Sequence, residues 1–589
     1  MNEAKLTEDQ QALVDAKTSL FAAACPGAGK TRAMVARFLK RTAEEPRRGI
    51  ALISFTNAAV DEVRRRCGNQ GEALRAPHFI GTFDTFIHRF IVTPLYVRAY
   101  GRKPNYVQSW HEVASTSFRL RDMGRTKNLE LKWFDFDPDG RAHLNSNRVP
   151  QDFGDAGAHR MLAQRKQEAE ANASHIFGRL LRAGTITCEA ARVLAAFWLG
   201  SSEERTILEG LLRARFAEVI VDEAQDCGRE ELGILEFLRD CGVRVVMVGD
   251  VDQSIYEFRN ATPAAVQEFA ASLPDQLALV DNWRSSPAIV AFNSGLRFGQ
   301  ELLETARGEY SVVQTPVHLI EFSALDQIVP AALDVAEQYK LVADDLVVLS
   351  HAEAHGMKAA GVVSLEGASS NRVLAIANAG YKLRSRETDP KARKTAVDQV
   401  QRAILAALTV ARETQHHSFA AVCEEIGVDP RWLEGFAVRL ALSLDAEGKT
   451  RSDFAASVRD SLKTADWGDV LAPASSDLGN LFKAPSEGAW ASVASFGNIP
   501  SVRYSTVHGV KGMEFPGVVL VLPDRLRVDK VTERTVLDDW EGDHNTEARR
   551  VLYVAGSRAQ QLLVCAVHRK HTDRVASLLN AKGVPYIKA

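Results

Sequence analysis

Residues 19 to 31, S-L-F-A-A-A-C-P-G-A-G-K-T, constrain the fold of this chain more than any other segment. Ser19 to Ala23 is a short apolar stretch suited to a central strand, and Arg32 to Leu39 has helical spacing. Between them lies a glycine-rich turn, A-C-P-G-A-G-K-T, at 24–31. Strand, loop and helix in that order are the context a phosphate-binding loop requires. Backbone N–H groups and the helix N-terminus would cradle a β-phosphate, so the ATP-binding set includes Ala24, Gly27, Ala28, Gly29, Lys30, Thr31 and Arg32. Lys30 would reach the β- and γ-phosphates, and the Thr31 hydroxyl would ligate Mg²⁺. Ala24 stands where the general pattern has its first glycine.

Two further segments carry matching chemistry. In F-A-E-V-I-V-D-E-A-Q-D at 216–226, an apolar strand from Val219 to Val221 delivers Asp222 and Glu223 to its carboxyl end. Asp222 would hold the metal, and Glu223 would orient and activate an attacking water. A second apolar run, Val243 to Val248, leads into V-G-D-V-D-Q-S-I-Y-E-F-R at 248–259. Here Gln253 would read a phosphate, while Phe258, five residues on and flanked by Arg259, would stack on a base.

Bulk numbers leave this reading open. The 589 residues suffice for roughly three to five domains, and 46% apolar with 25% charged residues is ordinary for a globular chain. No apolar run has the length of a membrane span and the N-terminus lacks a signal-peptide pattern, so a cytoplasmic protein without membrane partners is expected. The seven cysteines form no CxxC pair and no zinc spacing, and read as reduced structural residues. A net charge of −3 means that any nucleic-acid site is a local patch.

Taken together, the D-E-A-Q-D box and the G-D-V-D-Q-S-I-Y-E-F-R box resemble one family, the superfamily 1A helicases of the UvrD/Rep/PcrA group. Other matches follow in the family's order. Leu6 to Gln11 resembles the Q motif, whose Gln10 would read the adenine edge. Phe55, Thr56 and Asn57 resemble the DNA-contacting motif Ia, and Gly81 to Phe86, with Thr82, resembles motif Ib. Asp281 to Ser286 resembles motif IV, with Arg284 as an arginine finger and Trp283 where the family has a base-stacking Tyr. Thr506 to Phe515 resembles motif V, in which Thr506 and His508 would touch DNA and Glu514 the ribose. Glu547 to Ala559 resembles motif VI, with Arg558 as the second finger and Ser557 where Thr is common. In the 248–259 box, Tyr256, Phe258 and Arg259 would contact DNA; taken alone, Phe55, Tyr256 and Phe258 read more readily as core aromatics, and the ordered set of motifs reverses that.

The resemblance implies an α/β fold of two RecA-like P-loop NTPase domains, each a parallel sheet, with two inserted, mostly helical subdomains. Domain 1A would span 1–95 and 190–280, insert 1B 96–189, domain 2A 281–355 and 500–589, and insert 2B 356–499. Domain 2A strands are read at 346–349, 518–522 and 562–567. In 1B, 129–136 and 141–144 around Asp137-Pro138-Asp139-Gly140 read as a β-hairpin. Nearby Arg119, Arg121, Arg125, Lys127 and Lys132 either track a phosphate backbone or form a solvated face. In 2B, 392–412 reads as a helix with Val397, Val400, Ile404, Leu405 and Leu408 on its apolar side, and 475–488 as a loop. The acidic stretch 538–543 reads as a solvated loop before motif VI.

The implied function is an ATP- and Mg²⁺-dependent 3′→5′ single-stranded DNA translocase and helicase. The alternative is a DNA-end-sensing NTPase subunit that regulates a separately encoded nuclease in anti-phage defence, as in the Gabija type. The compact 2B insert and the lack of a recognisable nuclease motif favour that context. The full motif set favours a motor.

Overall fold

The computed structural model describes every residue except 1–4, 46, 69–70, 72, 111–112, 114–115, 123–127, 151–152, 256–261, 299–302, 362–370, 386–387, 389, 410–418, 469–471, 488–489, 491–501 and 530–531. Tyr256, Phe258, Arg259, Arg125 and Lys127 therefore lie outside the described residues. The chain divides into two compact units, residues 1–314 with 538–557, and residues 315–537 with 558–589.

The first unit is built on strands β1 (Leu20–Ala24), β2 (Gly49–Ser54), β3 (Phe79–Thr82), β4 (Phe216–Asp222), β5 (Arg244–Gly249) and β6 (Asp275–Leu279). They form one parallel sheet in the order β6-β1-β5-β4-β2-β3. Alternation along each strand explains why the sheet is covered on both faces. Phe21, Ala51, Val219, Val221 and Met247 enter one core, while Leu20, Ala22, Leu52, Ile220 and Val248 enter the other. A parallel sheet buried on both faces is what near-continuous apolar strands specify.

Three helices frame the first half of this sheet: α1 (Glu8–Asp15), α2 (Lys30–Glu44) and α3 (Asn57–Cys67). Helix α1 is closed at its start by a capping box between Thr7 and Gln10. Helix α2 is tied to the sheet by a fully buried bidentate pair. Arg37 Nε donates to Glu218 Oε1 at 2.7 Å and Arg37 Nη2 to Glu218 Oε2 at 2.9 Å. The same guanidinium reaches the carbonyls of Leu13 and Ala16 at 2.6 and 2.9 Å, which fixes α1 as well. Two later helices, α4 (Pro287–Leu296) and α5 (Glu547–Gly556), pack on each other in this unit.

The second unit holds β7 (Val317–Phe322), β8 (Leu346–Ser350), β9 (Arg503–Thr506), β10 (Phe515–Leu522), β11 (Ala559–His568) and β12 (Tyr586–Lys588). These form a second parallel sheet, β9-β8-β10-β11-β7-β12. The strands read at 346–349, 518–522 and 562–567 are β8, β10 and β11, each slightly longer than its apolar run.

The insert between β3 and β4 combines helices Ala156–Gln164 and Lys166–Ala183 with short strand pairs. The predicted hairpin forms only at its tip, where Phe134–Phe136 pairs antiparallel with Ala142–Leu144. Its tight turn is supported by the Asp137 side chain, which accepts the Arg141 N–H at 2.8 Å, and by Gly140 at φ 78°. Leu129–Glu130 pairs instead with Ser117–Phe118, because a 3-10 turn at Leu131–Trp133 buries Leu131 and Trp133 and redirects the chain. Of the basic residues there, Lys132 pairs with Glu130 at 2.8 Å.

The insert between β8 and β9 is helical, as expected, with its own core. Helix Pro390–Thr409 buries Val397, Val400, Ile404, Leu405 and Leu408. Two expectations are corrected. Residues 475–481 are a short helix, not a loop, because Leu478 is fully buried in that core. The acidic stretch is solvated only in its second half, where Glu541 to Asp543 are exposed; Val536–Glu541 is a helical turn whose Trp540 is 1% exposed, with Nε1 donating to the Gly295 carbonyl at 2.9 Å. Asp539 is buried too and accepts from the Thr546 hydroxyl at 2.8 Å. The apolar burial of one tryptophan outweighs the acidic composition around it.

Candidate nucleotide site and nucleic-acid interface

In the first sheet β5 lies between β1 and β4, and all three run parallel. Their carboxyl ends therefore share one edge, where ligands of open α/β sheets bind. That edge collects the phosphate-loop residues after β1, Asp222 and Glu223 after β4, and Asp250 to Gln253 after β5.

The loop after β1 needs its glycines. Gly27 and Gly29 both adopt φ 71°. A Cβ on Gly27 would fall 2.6 Å from Arg284 Cβ and 2.9 Å from Asn282 Oδ1, and one on Gly29 would fall 2.7 Å from Gln10 Nε2. Two neighbours thus crowd the loop. Gln10, buried, donates its Nε2 to the Ala28 carbonyl at 2.9 Å. The Trp283 N–H donates to the Gly27 carbonyl at 3.0 Å. Ala24 and Ala28 are buried, while Lys30, Thr31 and Arg32 are half-buried at the start of α2. The Trp283 ring is 46% exposed, open for stacking. Arg284 Nη1 donates to the Ser557 carbonyl at 2.9 Å, at the end of α5.

Asp222 is 4% exposed. Burial pushes its carboxyl well above the usual range, adjacent Glu223 adds to that, and the Lys30 ammonium opposes it. Glu223 stands at φ 53°, a left-handed conformation rare for a residue with a side chain. Its N–H donates to Asp222 Oδ1 at 2.9 Å, and its Oε2 accepts from Gln225 Nε2. Strain of this kind clusters at functional sites. Among the described residues no group of three or more His, Cys, Asp or Glu side chains forms a metal cage. The donor set fits Mg²⁺ all the same, since that ion is usually held by one or two protein oxygens with phosphate and water completing the shell. A dication beside Asp222 would offset the burial that now favours its protonated form.

Several residues here were not singled out from the sequence. Gln225 Oε1 accepts the Asp250 N–H at 3.0 Å, bridging the two strand ends. Asp250 Oδ2 accepts from Gln253 Nε2 at 2.8 Å and from Tyr553 Oη at 2.8 Å. The Asn282 Oδ1 accepts the N–H groups of Arg284 and Ser285 at 2.9 and 3.0 Å. The available signal was position: Gln225, Asp250 and Asn282 each lie within three residues of an assigned residue, Glu223, Gln253 and Trp283 respectively.

The described residues among those expected to touch DNA are placed on the same kind of edge in each unit. Thr56 and Thr82 cap short helices, accepting the Ala59 and Thr85 N–H groups at 3.2 Å each. Exposed Asn57 opens α3. Phe55 is only half-buried, but it stacks on Phe83 with ring centroids 5.7 Å apart, so part of its role is packing. In the second unit Thr506 Oγ1 accepts the Gly509 N–H at 3.1 Å, and the His508 ring lies 6.3 Å from that of His351. Glu514 is exposed, and Arg558 is buried with Nη1 at 3.3 Å from the Met513 carbonyl.

A parallel α/β unit with a glycine cradle, an acidic pair at one strand end and a glutamine in the turn after the intervening strand defines a P-loop nucleotide-binding protein. The UvrD/REP helicase N-terminal domain model matches residues 6–274, and the UvrD-like helicase C-terminal domain model matches residues 489–570. The chain is 26% identical over 309 residues to DNA helicase II of Escherichia coli (strain K12), covering 49% of this chain and 39% of that protein. It is 27% identical over 339 residues to the ATP-dependent DNA helicase UvrD1 of Mycobacterium tuberculosis (strain ATCC 25618 / H37Rv), covering 52% and 41%. It is 22% identical over 361 residues to the putative ATP-dependent DNA helicase YjcD of Bacillus subtilis, covering 56% and 44%. These matches span less than half the length of the relatives. The chain belongs to the UvrD-like superfamily 1A helicases, with two RecA-like domains.

Proposed function

We propose that this protein is a DNA-stimulated ATPase that moves along single-stranded DNA and unwinds duplex, with 3′→5′ polarity. The observation that carries the reading is the shared edge of β1, β5 and β4, which gathers a phosphate cradle, an acidic pair and Gln253. Lys30 binds the β- and γ-phosphates, and the N–H groups around Gly27 and Gly29 fix their orientation. Thr31 and Asp222 would hold Mg²⁺, which when bound would neutralise phosphate charge. Glu223 orients the attacking water and takes its proton. Arg284 stabilises charge on the γ-phosphate, and Trp283 stacks on the adenine. Thr56, Thr82, Thr506 and His508 hold the DNA backbone, while Phe258 stacks on a base, worth about 1–3 kcal/mol. A cytoplasmic location is part of the same reading.

A second reading is favoured by one observation. Residues 275–488, including the compact helical insert, lie between the two segments the family models match. In that reading the protein hydrolyses ATP on meeting DNA ends and signals to a separate nuclease without unwinding. The test is strand displacement on 3′-tailed, 5′-tailed and blunt duplexes, with ATPase measured on each. Displacement confined to the 3′-tailed substrate is expected. ATPase on all three without displacement would replace the motor with the end sensor.

A further inference from the structure

The Asp250 carboxylate is the point where the nucleotide edge of the first unit meets helix α5. Besides Gln253 and Tyr553 on Oδ2, it receives Arg297, whose Nη1 lies 3.3 Å from Oδ1. The Arg297 guanidinium also binds Asp252 Oδ2 at 2.7 Å and Glu304 Oε1 at 2.6 Å, and sits 5.0 Å over the Tyr553 ring. Asp250 is 1% exposed, Tyr553 0% and Arg297 9%. Three carboxylates gathered around one buried guanidinium would be costly without a purpose or a full set of bonds. Burial, reinforced by Asp250, pushes the carboxyls of Asp252 and Glu304 upward, while Arg297 opposes it, which eases the excess of negative charge.

Gln253 bears on function in this arrangement. Its amide already points into the cluster: Nε2 is bound to Asp250 at 2.8 Å. A γ-phosphate that captured this amide would take it from Asp250. The carboxylate left behind would still be held by the Tyr553 hydroxyl and by Arg297, so the exchange would orphan no buried charge.

We infer that Tyr553 and Arg297 are positioning residues that anchor the Asp250 carboxylate and thereby set the resting position of Gln253, so that α5 and the segment after α4 are coupled to the presence of the γ-phosphate. The inference rests on the proposed ATPase reading, and deepens it. Neither Tyr553 nor Arg297 touches the nucleotide; both act through Asp250.

The test uses the full chain carrying Tyr553→Phe, which removes one hydroxyl and leaves the packed ring, with Arg297→Lys as a second variant. Hydrogen exchange is read in the nucleotide-free protein on a peptide spanning 248–255, with one spanning 19–25 as control. Loss of a bond to a buried carboxylate should raise exchange in the first peptide roughly tenfold and leave the second unchanged. The ratio of DNA-stimulated to basal ATPase should fall roughly fivefold or more, the low end of ordinary site–site coupling. A purely structural role would lower both rates together and leave that ratio intact. Unchanged exchange at 248–255, or an unchanged ratio in an active enzyme, overturns the inference. Should the unmutated protein hydrolyse no ATP, the proposed function falls, and the exchange result alone decides the anchoring.

Discussion

Replacing Arg37 with Met tests whether the phosphate-loop helix is locked to the sheet as described. Arg37 is 0% exposed and makes four hydrogen bonds, two to Glu218 and one each to the Leu13 and Ala16 carbonyls. Removing it leaves Glu218 buried, with Arg244 Nε at 3.0 Å as a remaining close cation and Arg41 Nε at 3.9 Å as a distant one. Breaking a buried pair by deleting one partner costs about 3–5 kcal/mol, because a charge is left uncompensated. Arg244 retains part of the neutralisation, which places the loss near the lower bound, about 3 kcal/mol. Denaturant unfolding followed by tryptophan fluorescence would report it as a lowered midpoint. The double variant Arg37→Met/Glu218→Met should recover most of the loss, since apolar side chains of similar volume often replace a buried pair at little cost. A single variant within about 0.5 kcal/mol of the original, the usual range for surface changes, would refute the reasoning. So would a double variant no more stable than the single.

Two further changes probe local geometry. Gly27→Ala forces a side chain onto φ 71° and against Arg284, so it costs about 1–2 kcal/mol in backbone alone. Titration with a fluorescent ATP analogue should show affinity weakened roughly tenfold or more, and unaltered affinity would mean that the loop does not hold the nucleotide. Trp540→Ala should destabilise the first unit by about 3–5 kcal/mol, as expected for a buried tryptophan. A change too small to resolve in thermal unfolding would extend the solvated reading of 541–543 back over 538–540.

The sheets and the nucleotide edge were legible because their signals are local. Strands such as β4 and β10 are continuous apolar runs, and a parallel sheet buried on both faces requires that pattern. The phosphate loop was legible because only glycine takes φ 71° without strain while backbone atoms approach this closely. What stayed hidden depends on distant partners. Trp540 reads as part of an acidic loop until Gly295, 245 residues earlier, supplies a carbonyl for its indole. Arg297 and Glu304 carry no motif, and their meaning comes only from Asp250 and Tyr553, brought together by α4 packing on α5. The hairpin arms were overextended because a 3-10 turn at Leu131–Trp133 interrupts what periodicity reads as one strand.

The central claim is that Glu223, held in a left-handed conformation beside Asp222, activates water for ATP hydrolysis. The most direct measurement is steady-state ATPase with and without single-stranded DNA on the Glu223→Gln variant, paired with ATP-binding affinity. DNA-stimulated turnover should fall at least about a hundredfold, the typical contribution of a positioned acid–base group, with ATP affinity within a few-fold of the unmodified protein. DNA-stimulated turnover at the unmodified rate would contradict the claim.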